Sequence, residues 1–363
     1  MADSNSSDYD VVESFLAAKI VAEKAQDVHI NEENIKKMAC HVLDYFEDNE
    51  QYWYILTNKF LRPETYPALN SSNTADWLFV LHTLNFSLWN PKGNRQWTVG
   101  GSEGYFGLCF AIKRAIDEGK PIWDPKYYTR ITLSELEHIF RSDDSETSLP
   151  RILERLNILH QVGEVLLNKY QGTFVECIKS SEYDANKLIK LLFEEFESYR
   201  DEAVFEDLKV RFHSKARSLV SDIWAVCSQK KPVKQKFKLN TKEMMSTMFI
   251  DHRAPLVLLH FKILRYSNRL VNRLKNGNEP LVHGSREEIE IRGCSLFAAN
   301  LICKEIQKKR LPKSHLSKEL IQLAKMLNIP ILLDNFLLGF IDFTRDKECL
   351  KQDPFHYINT VYY

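Results

Sequence analysis

The sequence predicts a mainly helical protein, and three observations carry that expectation. Apolar residues recur at steps of three and four along most of the chain. Glycine and proline number only 12 each in 363 residues, too few for the many tight turns of a sandwich, barrel or propeller. Alternating, strand-like runs are short and few.

Taken in order, the pattern predicts helices over 10–25 and 32–47, the second opening after Asn31 with Glu32 and Glu33 in its first turn, where carboxylates complement the helix dipole. Trp97-Thr-Val-Gly-Gly-Ser reads as a short hairpin edge. Gly100-Gly101-Ser-Glu-Gly104 reads as a turn before a helix over 105–117, because it lacks the Lys and Ser/Thr of a phosphate loop. Thr132 and Glu135 have capping-box spacing ahead of Leu136, Ile139 and Phe140. Long amphipathic patterns follow at 149–169 and 203–228. Leu256, Leu259, Ile263, Tyr266, Leu270 and Leu274 form one stripe, expected as a single helix that Gly277 ends and Pro280 keeps from resuming. Ser285 and Glu288 make a second capping box, opening a helix through about Lys309. The end, Tyr357 to Tyr363, reads as extended. No internal repeat is present.

Charge and cysteine content bound the function. Lys plus Arg is 49 and Asp plus Glu is 49, so the chain lacks the basic surplus with which proteins displace counterions from duplex DNA or RNA. Duplex nucleic acid is therefore disfavoured as a partner. The seven cysteines are scattered and odd in number, which suits reduced thiols rather than a disulfide framework or a zinc site. The polar, acidic start Met-Ala-Asp-Ser-Asn-Ser-Ser-Asp is unlike a signal peptide. No apolar run approaches the roughly 20 residues of a membrane span, so no membrane partner is expected. A soluble cytoplasmic protein follows. The basic run Lys230-Lys-Pro-Val-Lys-Gln-Lys-Phe-Lys reads first as a solvated linker, with a nuclear address or phosphate-steering patch as the other reading.

Familiar catalytic signatures are absent: there is no Walker A sequence, GxGxxG, HExxH or GxSxG. His252 and His260 have no third residue spaced to join them on a metal, so both read as structural and no metal is expected. What stands out is carboxylates in apolar surroundings. Asp251 follows Met248-Phe-Ile and precedes a helix containing Pro255; it reads either as a helix cap or as a carboxylate facing a pocket, with Phe249 offering an aromatic face. Asp334 sits within Ile329-Pro-Ile-Leu-Leu-Asp-Asn-Phe-Leu-Leu, where an ionised side chain is costly without a partner or a task. Two aspartates and an aromatic suit cleavage of a glycosidic bond, in which a carboxylate stabilises an oxocarbenium-like state.

Six strings go further: Asp76-Trp-Leu-Phe-Val-Leu-His-Thr-Leu-Asn-Phe-Ser-Leu-Trp89, Gly104-Tyr-Phe-Gly-Leu-Cys109, Arg114-Ala-Ile-Asp-Glu-Gly-Lys-Pro-Ile122, Thr247-Met-Phe-Ile-Asp-His-Arg253, Glu288-Ile-Glu-Ile-Arg-Gly-Cys-Ser295 and Pro354-Phe-His356. Together they resemble the queuosine salvage family, the queuosine 5′-phosphate N-glycosylase/hydrolases, over nearly the whole chain from about residue 12. The resemblance implies a mostly helical fold related to helix-hairpin-helix DNA glycosylases; with no low-complexity boundary in the chain, the expectation is a single helical domain over 12–363 after a flexible 1–11, or one with two lobes meeting near 228–242. It also implies hydrolysis of queuosine 5′-phosphate to queuine and ribose 5-phosphate without cofactor, the base returning to tRNA modification.

By motif, the resemblance implies that Phe249 stacks on the deazaguanine plane, Asp251 hydrogen-bonds the base, and Asp334 acts at the anomeric carbon. Asn335 lies where the family carries a ligand-contacting tyrosine. Glu288, Glu290 and Arg292 are expected to form an internal salt-bridge network. The sequence departs from the family pattern around the site. Gly339 replaces a further aspartate and Leu338 a tryptophan, Arg62 aligns with an N-terminal-lobe histidine, His82 replaces an aspartate, and His213-Ser214 replaces a tyrosine–lysine pair. Three readings remain at this point: an active nucleotide N-glycosidase, a weakly active or inactive paralogue that binds a deazaguanine base or nucleotide, and a structural partner protein.

Overall fold

The computed structural model describes residues 10–12, 14–48, 73–90, 94–227, 238–244, 248–276, 279–309, 329–343 and 353–363. Helices dominate these residues, and the strands are short and few. Contacts divide the chain into two compact units. The N-terminal 1–9, most of the basic run 230–238, Gly277 and Arg62 lie outside the described residues.

The first unit comprises Met1–Trp53, Asp201–His213 and Met245–Asn359. The helix Arg286–Lys309 is its axis, with every residue from Glu287 to Leu296 buried. The helices Ser14–Lys24, Glu32–Asp48, Ala254–His260 and Ile329–Phe343 pack around it. Gly293 permits the closest of these approaches, since a Cβ there would meet Val21 Cγ1 at 2.5 Å. The strand Leu208–Arg211 pairs antiparallel with Glu202–Phe205 and parallel with Asp10–Val12, Val12 lying opposite Val210. Val28–Ile30 pairs antiparallel with Leu264–Tyr266.

Three expectations for this unit need correction. The pattern at 10–25 begins as a strand over Asp10–Val12, and its helix starts at Ser14. There the Ser14 hydroxyl donates to the Phe212 carbonyl at 3.1 Å. The pattern at 203–228 is a hairpin followed by the helix Ser214–Cys227. Glu206 turns the hairpin at φ 54°. The stripe from Leu256 to Leu274 is broken as well. The helix Ala254–His260 ends in a turn with Lys262 at φ 56°, then comes the strand Leu264–Tyr266, then the helix Asn268–Asn276. The left-handed Lys262 stops the first helix, and pairing with Val28–Ile30 takes up the backbone groups that a continuous helix would have used internally. Apolar residues spaced by three and four are therefore no proof of one helix when a turn happens to preserve the spacing.

The second unit comprises Tyr54–Arg200, Ser214–Met244 and Thr360–Tyr363. Its central helix, Thr74–Leu84, is buried at every position and packs against Ser214–Cys227, Phe174–Ser180 and Ile152–Lys169. Phe79 stacks on Phe174 with ring centroids 4.5 Å apart, and Phe196 lies 5.1 Å from it. The capping box at Thr132 forms in both directions: the Glu135 N–H donates to Thr132 Oγ1 at 3.3 Å, and the Thr132 N–H donates to Glu135 Oε2 at 2.9 Å. The expected hairpin pairs Thr98–Val99 with Ser102–Glu103. Gly100 and Gly101 make its turn at φ 59° and 69°, a region open to glycine at no steric cost.

The second capping box forms in altered form. The Glu288 N–H donates to Ser285 Oγ at 3.4 Å, while the Glu288 carboxylate accepts from the Gly284 N–H at 3.1 Å. In the C-terminal segment, Ile358 makes a single parallel bridge to Leu281 in place of a strand.

Candidate active site

The segment 248–253 sets out the first half of the site. Met248 and Ile250 are buried, while Phe249 and Asp251 are half-buried. That alternation has the period of extended backbone. The Met248 N–H is held by Asn300 Oδ1 at 3.1 Å, on the central helix. Phe249 is therefore half-buried at the edge of the core rather than enclosed in it.

Asp251 does not cap the following helix, whose N-cap is Arg253. Its Oδ1 instead accepts from the Arg253 backbone N–H at 2.9 Å and from Arg253 Nε at 3.0 Å, and lies 3.5 Å from His252 Nδ1. These contacts are all made through Oδ1, which leaves Oδ2 without a partner among the described residues, on a side chain 24% exposed. Burial pushes this carboxyl up, but the Arg253 guanidinium, His252 and the Arg253 N–H outweigh it and hold it well below the usual carboxylate range. The group is an anion with one oxygen anchored and one available, which suits it to accept from an N–H of a heterocyclic base.

The helix Ile329–Phe343 supplies the second half. Leu332, Leu333, Phe336 and Leu337 are buried, and Ile331, Asp334, Asn335 and Leu338 form the half-buried stripe beside them. Asp334 and Asn335 thus sit at the edge of the core. Asp334 acts on Cys303 of the central helix, whose thiol is pushed up to about 12 by burial and then by the Asp334 charge. The helix is fixed by aromatic contacts: Phe340 lies 5.0 Å from Phe261 and 5.5 Å from His260, and Phe336 lies 5.1 Å from Tyr45. His260 is structural, as its spacing suggested. Gly339 is buried in this continuous helix.

All four candidate residues, Phe249, Asp251, Asp334 and Asn335, belong to the first unit. The helix Ala254–His260, which follows the 248–253 segment, packs on Ile329–Phe343, and both pack on Arg286–Lys309. The expected internal ion network lies in the same unit. Arg292 Nη1 donates to Asp201 Oδ1 at 3.0 Å and to Glu288 Oε1 at 3.1 Å, its guanidinium 4.0 Å from the centre of the Phe212 ring. Glu290 accepts the N–H groups of Gln26 and Asp27 and pairs with Arg286. Asp201 was not singled out in the sequence, because nothing local marks a residue 91 positions away as the partner of Arg292. Arg253 was missed as well, although its place two residues after Asp251 carried the signal.

Other singled-out residues lie in the second unit. His82 Nε2 is 3.0 Å from Asp222 Oδ2, and both side chains are buried. A cleft of about 290 Å³ beside Asp76, lined also by Trp123, Asp124, Lys126 and Thr173, contains none of the four candidate residues. Among the described residues, no group of three His, Cys, Asp or Glu side chains is arranged to hold a metal ion, and no helix is long and apolar enough to cross a membrane.

Comparison with known proteins adds a second line of argument. The family described as "Queuosine salvage protein" matches residues 65–363. A queuosine 5′-phosphate N-glycosylase/hydrolase of Bos taurus is 36% identical, with 96% of this chain and 97% of the relative covered. A protein of that name from Mus musculus is 35% identical over the same shares. The Schizosaccharomyces pombe relative of that name is 29% identical, covering 80% of this chain and 85% of its own length.

Proposed function

This chain belongs to the queuosine salvage protein family, and on that premise we propose that it hydrolyses the N-glycosidic bond of queuosine 5′-phosphate, releasing queuine for reuse in tRNA modification. The observation that carries the reading is the turn at Asp251: Oδ1 is anchored by the Arg253 N–H at 2.9 Å and by Arg253 Nε at 3.0 Å, on a half-buried side chain two residues after the half-buried Phe249.

In this mechanism Phe249 stacks on the deazaguanine plane, and Asp251 accepts a hydrogen bond from the base and so orients it. The bond from the anomeric carbon to the base nitrogen breaks with its electron pair on the base, leaving an oxocarbenium-like sugar. Asp334, on the half-buried stripe of its helix, stabilises that positive charge or attacks it. Water supplies the hydroxyl to the anomeric carbon and the proton to the departing base, giving ribose 5-phosphate and queuine. Asn335, one residue on, offers an amide that both donates and accepts to the sugar or base. The substrate is a small anionic nucleotide, in keeping with a net charge of zero.

The test is a sugar-release assay on queuosine 5′-phosphate with ligand binding measured in parallel. Release of queuine and ribose 5-phosphate is the expected result. Binding without turnover would make the chain a deazaguanine-binding paralogue, and neither binding nor turnover would overturn the reading.

A further inference from the structure

The Asp251 turn does not stand alone; a segment distant in sequence backs it. Phe355 meets the His252 ring edge-on, with centroids 6.3 Å apart and planes 69° apart, and His252 in turn stands 3.5 Å from Asp251 Oδ1. The segment is fixed just beyond these rings. The Leu281 N–H donates to the Tyr357 carbonyl at 2.8 Å, and Leu281 pairs with Ile358. Leu281 shortly precedes the helix whose first turns carry Glu288 and Arg292.

His356 lies between these two anchors and is only 3% exposed. Its Nε2 is enclosed without a hydrogen-bond partner among the described residues. An unsatisfied buried polar atom is rare in folded proteins and asks for an explanation. Phenylalanine or leucine would fill the space without that penalty, so packing alone does not account for a histidine here. Its surroundings keep it uncharged: burial pulls the imidazole down to about 3, helped by His252 and Arg292 and opposed by Glu288 and Asp251. A neutral ring with one donor and one acceptor nitrogen can take part in a hydrogen-bonded arrangement without pairing with Asp251 as a competing cation.

We propose that His356 is a positioning residue for base recognition: with Phe355 it braces the His252–Asp251 turn so that Oδ1 stays on Arg253 and Oδ2 stays turned to the ligand, its own Nε2 completing a hydrogen bond when the site is occupied. This rests on the functional reading given above for Asp251. The ring contributes to affinity for the base and takes no part in bond cleavage.

The test compares His356→Phe, which keeps the shape and removes both nitrogens, with His356→Gln, whose amide nitrogen reaches close to the Nε2 position. KM and kcat on queuosine 5′-phosphate, affinity for queuine, thermal stability and the carbon-13 titration of the Asp251 carboxyl are measured for each. The Phe variant should stay folded, lose about tenfold in KM and queuine affinity with kcat within about twofold, and show the Asp251 titration moved toward the ordinary carboxylate range; Gln should recover most of each loss. Wild-type behaviour of His356→Phe would overturn the proposal. So would equal losses in kcat and affinity that follow a fall in thermal stability and are not recovered by Gln. If the wild-type chain neither binds nor cleaves these compounds while the Asp251 titration still moves in His356→Phe and returns in His356→Gln, the bracing stands and the assigned substrate fails.

Discussion

Asp76, in the first turn of a helix, and Asp251, just before one, lie one in each compact unit, and their surroundings drive them in opposite directions. Asp76 is 7% exposed, and its Oδ1 accepts from the Phe174 N–H at 2.7 Å and the Thr173 hydroxyl at 2.8 Å. Both donors are neutral. Burial pushes its carboxyl up to about 6 against those hydrogen bonds. Asp251 is more open and has an arginine and a histidine on one oxygen, which hold it ionised at any ordinary pH. The first is spent on tying two helices together, whereas the second is kept charged with an oxygen to spare. A neighbouring guanidinium, rather than depth alone, separates the two aspartates.

A third arrangement completes the comparison. Glu288, Arg292 and Asp201 form a network that is buried throughout, and it holds the first unit together. Breaking it is the largest effect expected. Arg292→Met leaves two carboxylates buried without their cation and should cost about 3–5 kcal/mol, read as a lower denaturation midpoint; a loss under about 1 kcal/mol would show that the network is incidental to the fold.

Asp334→Asn removes the negative charge opposite a developing cation and should slow base release by two to three orders of magnitude, roughly 3–4 kcal/mol, with the fold preserved. An Asn variant that keeps more than about a tenth of wild-type turnover would take Asp334 out of the mechanism.

Asp76→Asn sharpens the contrast through pH. The unfolded carboxyl gives up its proton near pH 4, whereas the folded one keeps it until about 6. Between those values the folded state binds more protons, so this group makes stability fall as pH rises. Asparagine keeps the Oδ1 acceptor and never ionises. It should stabilise by up to about 3 kcal/mol above pH 6 and by nothing below about pH 4. A benefit that does not change with pH would contradict the raised carboxyl.

Phe249→Ala is the mildest in stability and the most specific. A half-buried ring that stacks on a base should lose roughly 1–3 kcal/mol of ligand affinity, whereas a core phenylalanine truncated to alanine costs about 3–5 kcal/mol in folding. Calorimetric binding of queuine and thermal unfolding of the same variant distinguish the two, and unchanged affinity in a folded protein would end the stacking role.

Local chemistry made much of this molecule legible from its sequence. The helix at 133–139 was readable because Thr132 and Glu135 satisfy each other's backbone groups within one turn, and the turn at Gly100–Gly101 because only glycine enters that backbone region freely. Phe249, Asp251, Asp334 and Asn335 could be singled out because charge in an apolar run, and strings shared with a family, are properties of the chain itself. Tertiary structure decided what spacing could not carry. The stripe from Leu256 to Leu274 is divided because Leu264–Tyr266 pairs with Val28–Ile30, more than 230 residues earlier. Arg292 finds Asp201 from 91 positions away, and Phe355 comes to rest against His252. A sequence pattern records which residues prefer to be buried or capped. Which distant partner meets each of them is set only when the backbone folds back on itself, and the burial and charge neighbourhood that lower the Asp251 carboxyl and raise that of Asp76 are set at the same moment.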